Sequence, residues 1–391
     1  MVRIVDVRET SVPLRSPLRN AVLDFGRMTT SVVAVLTDVV RDGKPVTGFA
    51  FNSTGRYACG GRMRRRFVPR LLEAAPETLL DAGGTNFDPE KALAAMLRDE
   101  KPGGHGDRSI AIGTIEVALW DAVAKIDGLP LHRLLAARWN GGRSAAPVPA
   151  YVGGGWYRPG HDLRALRDEI RRYLDAGYAR VKIKIGGAPL AEDLARVEAV
   201  LEVVGSPDRL AVDANCALSR AQAFAYAGAL APYRLRWFEE PGDPADYALM
   251  RELAEVYAPP LATGENLFFT QDVENLLLYG GMRRDRDVVQ IDPPQSYGIV
   301  QLSRTLAMMR RHGWSPSSVM PHGGNRMSLH AAAGFGLGGC EAYPGVFGAF
   351  GGFGDDVRLD GGCLSVPELP GIGFEAQNEL YAIARELAAA A

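Results

Sequence analysis

Residues 181–185 read Val181-Lys182-Ile183-Lys184-Ile185. A β-strand turns successive side chains to opposite faces, so the two lysines share one face and the three apolar residues share the other. In a barrel the apolar face meets the helices and the lysines point inward. A buried ammonium is costly unless an opposite charge meets it. Carboxylates must therefore face this strand from its neighbours. The competing reading is an exposed edge strand on which lysines guard against aggregation, and it leaves the apolar face without a purpose.

The carboxylates recur at a regular interval. Asp213 ends Leu210-Ala211-Val212-Asp213, Glu239 ends Trp237-Phe238-Glu239, and Glu265 lies in Thr263-Gly264-Glu265-Asn266. The steps between them are 26 and 26 residues; Asp292 follows 27 later and His322 a further 30. A strand, a helix and two loops fill such an interval. Eight short apolar runs lie between Val148 and Tyr343, from VPAYV to SSVMPH and CEAYP, with helical patterns between them. Helix ends are legible at Gly177, at a Ser219/Gln222 capping box and at Gly280. This order predicts an α/β fold with a TIM-like barrel. A doubly wound open sheet is the alternative, but the chain has neither a GxGxxG turn after a first strand nor a Walker loop.

Upstream, residues 1–60 are β-rich, and Asp42-Gly43 marks a hairpin. The pattern turns helical near Arg62. Its best helix follows Asp107, carries Ile110, Ile115, Leu119, Ala122 and Ile126, and stops at Gly128 and Pro130. The expected division is an α+β unit over 1–135, the barrel over 136–345, and a tail over 346–391 that packs back on the first unit. A length of 391 residues suits more than one core. The composition is that of a globular protein, 47% hydrophobic and 23% charged, with a net charge of -2. That balance favours neither nucleic acid nor an anionic membrane, and the Arg62–Arg66 cluster reads as a solvated helix face. No stretch has the length of a membrane span, and the N-terminus lacks an apolar leader. Four scattered cysteines fit free thiols in a reducing cytoplasm.

Barrel active sites are built at the C-terminal ends of the strands, where each of these acids falls. Asp213, Glu239 and Glu265 on adjacent strands suit a hard, oxygen-loving divalent ion, Mg²⁺ above all. Asp292 is placed to orient His322 and raise its proton affinity. Glu341, in the last strand region, is a candidate substrate contact. Lysines enter from the second strand and His322 from the seventh, so bases bracket a metal-bound substrate. A metal-bound carboxylate acidifies its α-carbon. Lys184 beside the metal is expected to hold its proton less tightly than a free lysine, as a general base must.

With KIK at 182–184, the acids at 213, 239 and 265, and the Asp292/His322 pair, the chain resembles the enolase superfamily of mandelate-racemase type. A lysine or histidine base working beside Mg²⁺ is that superfamily's known chemistry and is taken over as such. The resemblance implies a capping domain, a modified (β/α)7β barrel, Mg²⁺ and a homo-oligomer of two to eight subunits. SPLRN, EKPGGHGDRS, KIGGAP, GDPADYAL, ATGENLF, GGMRRDRD, HGWSPS, PHGG and LPGIGFE are similar to the D-tartrate dehydratases within it. That similarity implies that Lys184 abstracts the C2 proton. His322 then protonates the departing C3 hydroxyl, and the enol becomes oxaloacetate. It makes Lys182 a support for the substrate carboxylate. It also places Asn20 and Lys101 in cap loops over the substrate, Lys101 against the distal carboxylate.

Departures from that pattern are Thr54 for Asn, Cys216 for Gly, Asn325 for His and Cys340 for Asn, with Pro293-Pro294 after Asp292. Thr54 and Cys340 bear on substrate shape. The expected partner is a small carboxylate. Racemisation or epimerisation, cycloisomerisation and dehydration of another acid sugar share the same residues. A non-catalytic sugar-acid binder would not need both Lys184 and His322.

Overall fold

The computed structural model describes residues 2–390. The N-terminal meander pairs antiparallel as β1 (Ile4–Pro13), β2 (Thr29–Arg41) and β3 (Lys44–Phe51). Asp42 and Gly43 both take left-handed backbone, φ 50° and 74°, as a tight hairpin demands. The sheet lies on the helix Asp107–Asp127, which ends at a left-handed Gly128 cap. Contact is close enough that a Cβ on Gly48 would collide with the Ala118 carbonyl. The arginine cluster lies on a short π-wound stretch, Met63–Phe67, and the helical residues beside it. Arg62, Arg64 and Arg66 pair with Asp107, Glu9 and Glu100, so much of its charge is spent within the unit.

The barrel strands are β4 (Val148–Gly154), β5 (Val181–Lys184), β6 (Leu210–Asp213), β7 (Trp237–Glu239), β8 (Leu261–Thr263), β9 (Val288–Val289) and β10 (Cys340–Ala342). Neighbours from β4 to β9 pair parallel in chain order, and β10 returns to pair with β4. The run SSVMPH, expected as a full strand, is reduced to one bridge between Val319 and Val289. Met320 N–H donates to the Val289 carbonyl at 3.0 Å, and Gly338 N–H donates to Val319 at 2.9 Å. Pro316 and Pro321 flank this stretch without N–H groups to extend a ladder. Seven of the eight positions are followed by a helix, and none follows β10 directly. The fold is thus a (β/α)7β barrel with an α+β cap.

The tail differs from its expected path. Before reaching the cap it forms a hairpin, β11 (Leu359–Asp360) and β12 (Cys363–Leu364), that pairs antiparallel with β4. Gly361 and Gly362 turn it with φ of 54° and 76°. Strands of two residues carry too little alternation to be read from sequence. Only then does the helix Asn378–Ala389 pack on β1 and β2. Among the described residues, no helix is long and apolar enough to cross a membrane.

A buried carboxylate helps to join cap and barrel. Glu116, on the helix Asp107–Asp127, accepts from Ile299 N at 2.8 Å, Val300 N at 2.9 Å and Trp120 Nε1 at 2.8 Å. It therefore caps the helix Ile299–Arg311 from outside. Gly298 precedes that helix with φ 90°, and any Cβ there would strike Glu116. Burial pushes the Glu116 carboxyl up to about 8, while the N–H donors pull the other way. Glu116→Ala strands two backbone donors in the interior. It should lower the stability of the folded chain by roughly 2–3 kcal/mol, seen as an earlier urea midpoint, with Glu116→Gln milder because its amide oxygen still accepts. An unchanged midpoint for the alanine variant would remove this carboxylate from the joint.

Candidate active site

β5 alternates as its sequence dictates. Val181 and Ile183 are buried toward the helices, and Lys182 and Lys184 point inward. Parallel pairing sets Lys184 beside Asp213, and Asp213 beside Glu239. The acids thus stand level with the lysines at the strand ends.

The two lysines occupy different layers. Lys182 has no side-chain exposure; its Nζ lies 2.5 Å from Glu239, 2.8 Å from Glu341 and 3.5 Å from Asp213. Burial alone would drive off its proton, yet Glu239 and Glu341 hold it well above the ordinary lysine range. Lys184 sits one step outward, 2.5 Å from Asp213, and lines an open cavity. Burial would raise Asp213, but Lys184 and Lys182 hold it well below the usual carboxylate range. For Glu239, burial and the neighbouring Asp213 push the carboxyl up to about 8, against the pull of Lys182. Its Oε2 accepts from Trp237 Nε1 at 2.7 Å and Gln290 Nε2 at 2.8 Å.

His322 closes the far side. Its Nδ1 is 2.8 Å from Asp292 and its Nε2 is 3.5 Å from Glu265. Burial opposes the charged ring, but Glu265 and the Asp292 hydrogen bond push it up to about 10. An imidazolium so held is a proton donor at neutral pH.

Asp213, Glu239 and Glu265 supply only oxygen donors. Among the described residues they do not stand as a preformed cage, because Asp213 and Glu239 are turned onto the lysines. Glu265 Oε2 is buried without a hydrogen-bond partner. Glu240 is buried beside them, driven well above the usual range by burial and by Glu265. The cluster holds more carboxylate than cation, and a hard divalent ion fits what it lacks.

The cavity measures about 220 Å³ and is lined by Lys184, Glu265, His322 and cap residues that include Asn20 and Thr54. That is below the roughly 300–1,000 Å³ of most ligand clefts, so it suits a small acid. Asn20 Oδ1 shapes its own loop by accepting from Val22 N at 2.8 Å and Leu23 N at 2.6 Å. Thr54 turns its carbonyl to Gln295 at 2.9 Å. Three expected substrate contacts stand elsewhere. Lys182, expected to support the substrate carboxylate, is fully buried and outside the lining. Glu341 lies in the lower layer as a counter-charge to Lys182. Lys101 is exposed and outside the lining, and its carbonyl accepts from Arg108 at 2.8 Å. Cys216 lines the cavity, whereas Cys340 is buried with its thiol on the Glu341 carbonyl.

The lining residues not read from the sequence include Arg56 and Trp156. Arg56 reaches from the cap to bond Asn266, with its guanidinium 5.0 Å from the Phe268 ring. Trp156, after β4, places its ring 4.7 Å from Lys184 Nζ. Arg56 lies two positions after Thr54 in FNSTGRY, but nothing local says that this loop spans to the barrel.

Residues 165–380 match the family described as enolase C-terminal domain-like. Arabinonate dehydratase of Saccharolobus solfataricus is 30% identical over 307 residues, 75% of this chain and 76% of that protein. A racemase from Streptomyces coelicolor, crystallised with bound magnesium, is similar at a TM-score of 0.77 and 25% identity, covering 97% of this chain and 99% of that one. L-talarate/galactarate dehydratase from Salmonella typhimurium, liganded with Mg and L-lyxarohydroxamate, gives 0.77 and 25% over 99% of this chain and 92% of that one.

The Asp292–His322 pair is directly testable. Asp292→Asn keeps an acceptor but loses the negative charge, so His322 should titrate about 1–3 units lower. The measurement is a histidine NMR titration of the metal-free protein, and an unmoved resonance would remove Asp292 from the role.

Proposed function

Because the chain belongs to the enolase superfamily, we propose that it is a Mg²⁺-dependent dehydratase of a small hydroxy acid, with D-tartrate as the substrate. The observation that carries this reading is that Lys184 and His322 open on one small cavity, from the second and seventh barrel positions, with carboxylates on the strands between. In this reading the cap (1–135) contributes Asn20, Thr54 and Arg56 to the lining. The barrel (136–345) contributes the reacting groups, and the tail (346–391) ties the two.

Asp213, Glu239 and Glu265 would hold Mg²⁺, which supplies positive charge against the negative charge that builds on the substrate's carboxylate. Lys184 Nζ takes the α-proton. The electron pair of that C–H bond forms the C=C bond as the C–O bond to the β-hydroxyl breaks. His322 Nε2 gives its proton to that hydroxyl, which leaves as water. Asp292 holds the ring in the donating orientation. The enol then becomes a keto acid, with no net oxidation. Lys182, charged and deep, keeps the carboxylate layer in place beneath the reaction.

The diacid is supported by Arg56, a cation on the cap side of the cavity placed to receive a second carboxylate, and by the small cavity volume. Resemblance to the D-tartrate dehydratases supports the substrate itself. The same resemblance supports a homo-oligomer, and four free cysteines fit a cytoplasmic enzyme.

Purified protein with Mg²⁺ is expected to release oxaloacetate from D-tartrate in a panel holding all tartrate isomers and longer acid sugars. Lys184→Ala should abolish both keto-acid release and α-proton exchange in D₂O, while Mg²⁺ still binds by calorimetry. Turnover of another acid would keep the reaction and replace the substrate. Exchange without water loss would replace dehydration with racemisation. Arg56→Met should raise KM for the diacid by tenfold or more, corresponding to about 1.4 kcal/mol, with a smaller change in kcat; an unchanged KM would free Arg56 of that contact.

A further inference from the structure

Trp156 is a partition between two cavities. It follows β4 and is buried, 3% exposed. On one side its ring meets Lys184 in the reaction cavity. On the other it bounds a second cavity of about 240 Å³, lined also by Arg158, Glu169, Arg172 and Tyr173. No step of the proposed reaction uses this outer chamber.

The partition is held by packing alone. The indole N–H is buried and has no acceptor. Phe25 and Phe347 meet the ring edge-on, with centroids 5.3 and 5.5 Å away, and Tyr343 lies tilted at 5.8 Å. No hydrogen bond anchors the ring against rotation or truncation.

The outer chamber is chemically equipped. Glu169 is already satisfied, accepting from Gly155 N at 3.0 Å and Tyr173 Oη at 3.1 Å and pairing with His161 at 2.9 Å. Arg158 is 3.9 Å from that carboxylate and 40% exposed. Arg172 adds a second guanidinium to the lining. Two guanidiniums to one satisfied carboxylate leave positive charge facing the space, and planar guanidinium groups suit carboxylates.

We propose that Trp156 sets the length of the acid that the site accepts. Its indole closes the reaction cavity to a short diacid, and the chamber behind it is a latent subsite for the distal carboxylate of a longer sugar diacid. The proposal rests on the reading of the site as one for small hydroxy diacids. It makes Trp156 a specificity-determining residue, and the ring face on Lys184 makes it a positioning residue for the base as well.

The test is calorimetric binding of a ladder of diacids, tartrate, xylarate and galactarate, to the Mg²⁺-loaded full chain. The native protein should bind galactarate at least tenfold more weakly than tartrate. Trp156→Ala should shrink that ratio by tenfold or more, Trp156→Phe by less, and Trp156→Ala with Arg172→Ala should lose the gain. On the short acid, Trp156→Ala should also lower kcat and displace its pH profile, because Lys184 loses the ring. Native protein that binds galactarate as tightly as tartrate, or a ratio unmoved by Trp156→Ala, overturns the proposal. Should the alanine variant not fold, the phenylalanine variant carries the same comparison. Binding is read apart from turnover, so failure of every acid to react counts against the dehydration reading alone. Failure of every acid to bind overturns both.

Discussion

Lys182 is an ammonium group with no access to water, and the barrel interior is arranged around that fact. Three carboxylates from three other strands, Asp213, Glu239 and Glu341, surround its Nζ within 3.5 Å. A buried pair of this kind contributes little net stability, but removing one partner is costly because it leaves a bare charge inside. The strands must therefore keep the register that brings these acids level, which also fixes the rim where Lys184 and Glu265 stand. Deep charge compensation and the geometry of the reactive layer are one constraint.

The interior was legible where its logic is periodic. A two-residue alternation placed both lysines, and acids one βα unit apart placed themselves at strand ends. Local turn chemistry was equally plain. The Asp42-Gly43 hairpin and the Ser219/Gln222 capping box form as read, and the long helix after Asp107 stops at Gly128. What stayed hidden depends on contacts distant in sequence. Glu341 reads as a candidate substrate contact from its place in the last strand region. Its role as a counter-charge appears only when β10 returns to β4 and brings it over Lys182. Trp156 reads as an ordinary aromatic until Phe25 and Phe347 enclose it from two remote loops. The hairpin at 359–364 escaped because two-residue strands have no period to detect.

The cap supplies more than a cover. Its loops add Asn20, Thr54 and Arg56 to the cavity wall, and Arg56 ties the FNSTGRY loop to Asn266 on the barrel. Asn20 spends its side-chain oxygen on its own loop, so that segment is shaped before any ligand arrives. Cap loops and barrel residues thus share the wall of one cavity.

The carboxylate of Glu116 carries a consequence for biosynthesis. Its backbone partner at Ile299 lies 183 residues further along the chain, and the first sheet is also packed by the C-terminal helix Asn378–Ala389. During synthesis from the ribosome, the N-terminal unit emerges long before either support exists. It must wait with a desolvation-prone acid and an uncovered sheet face until the last βα units and the tail are released. The molecule therefore matures from its two ends together, and a chain truncated before Ile299 leaves the helix Asp107–Asp127 without the backbone partners of Glu116.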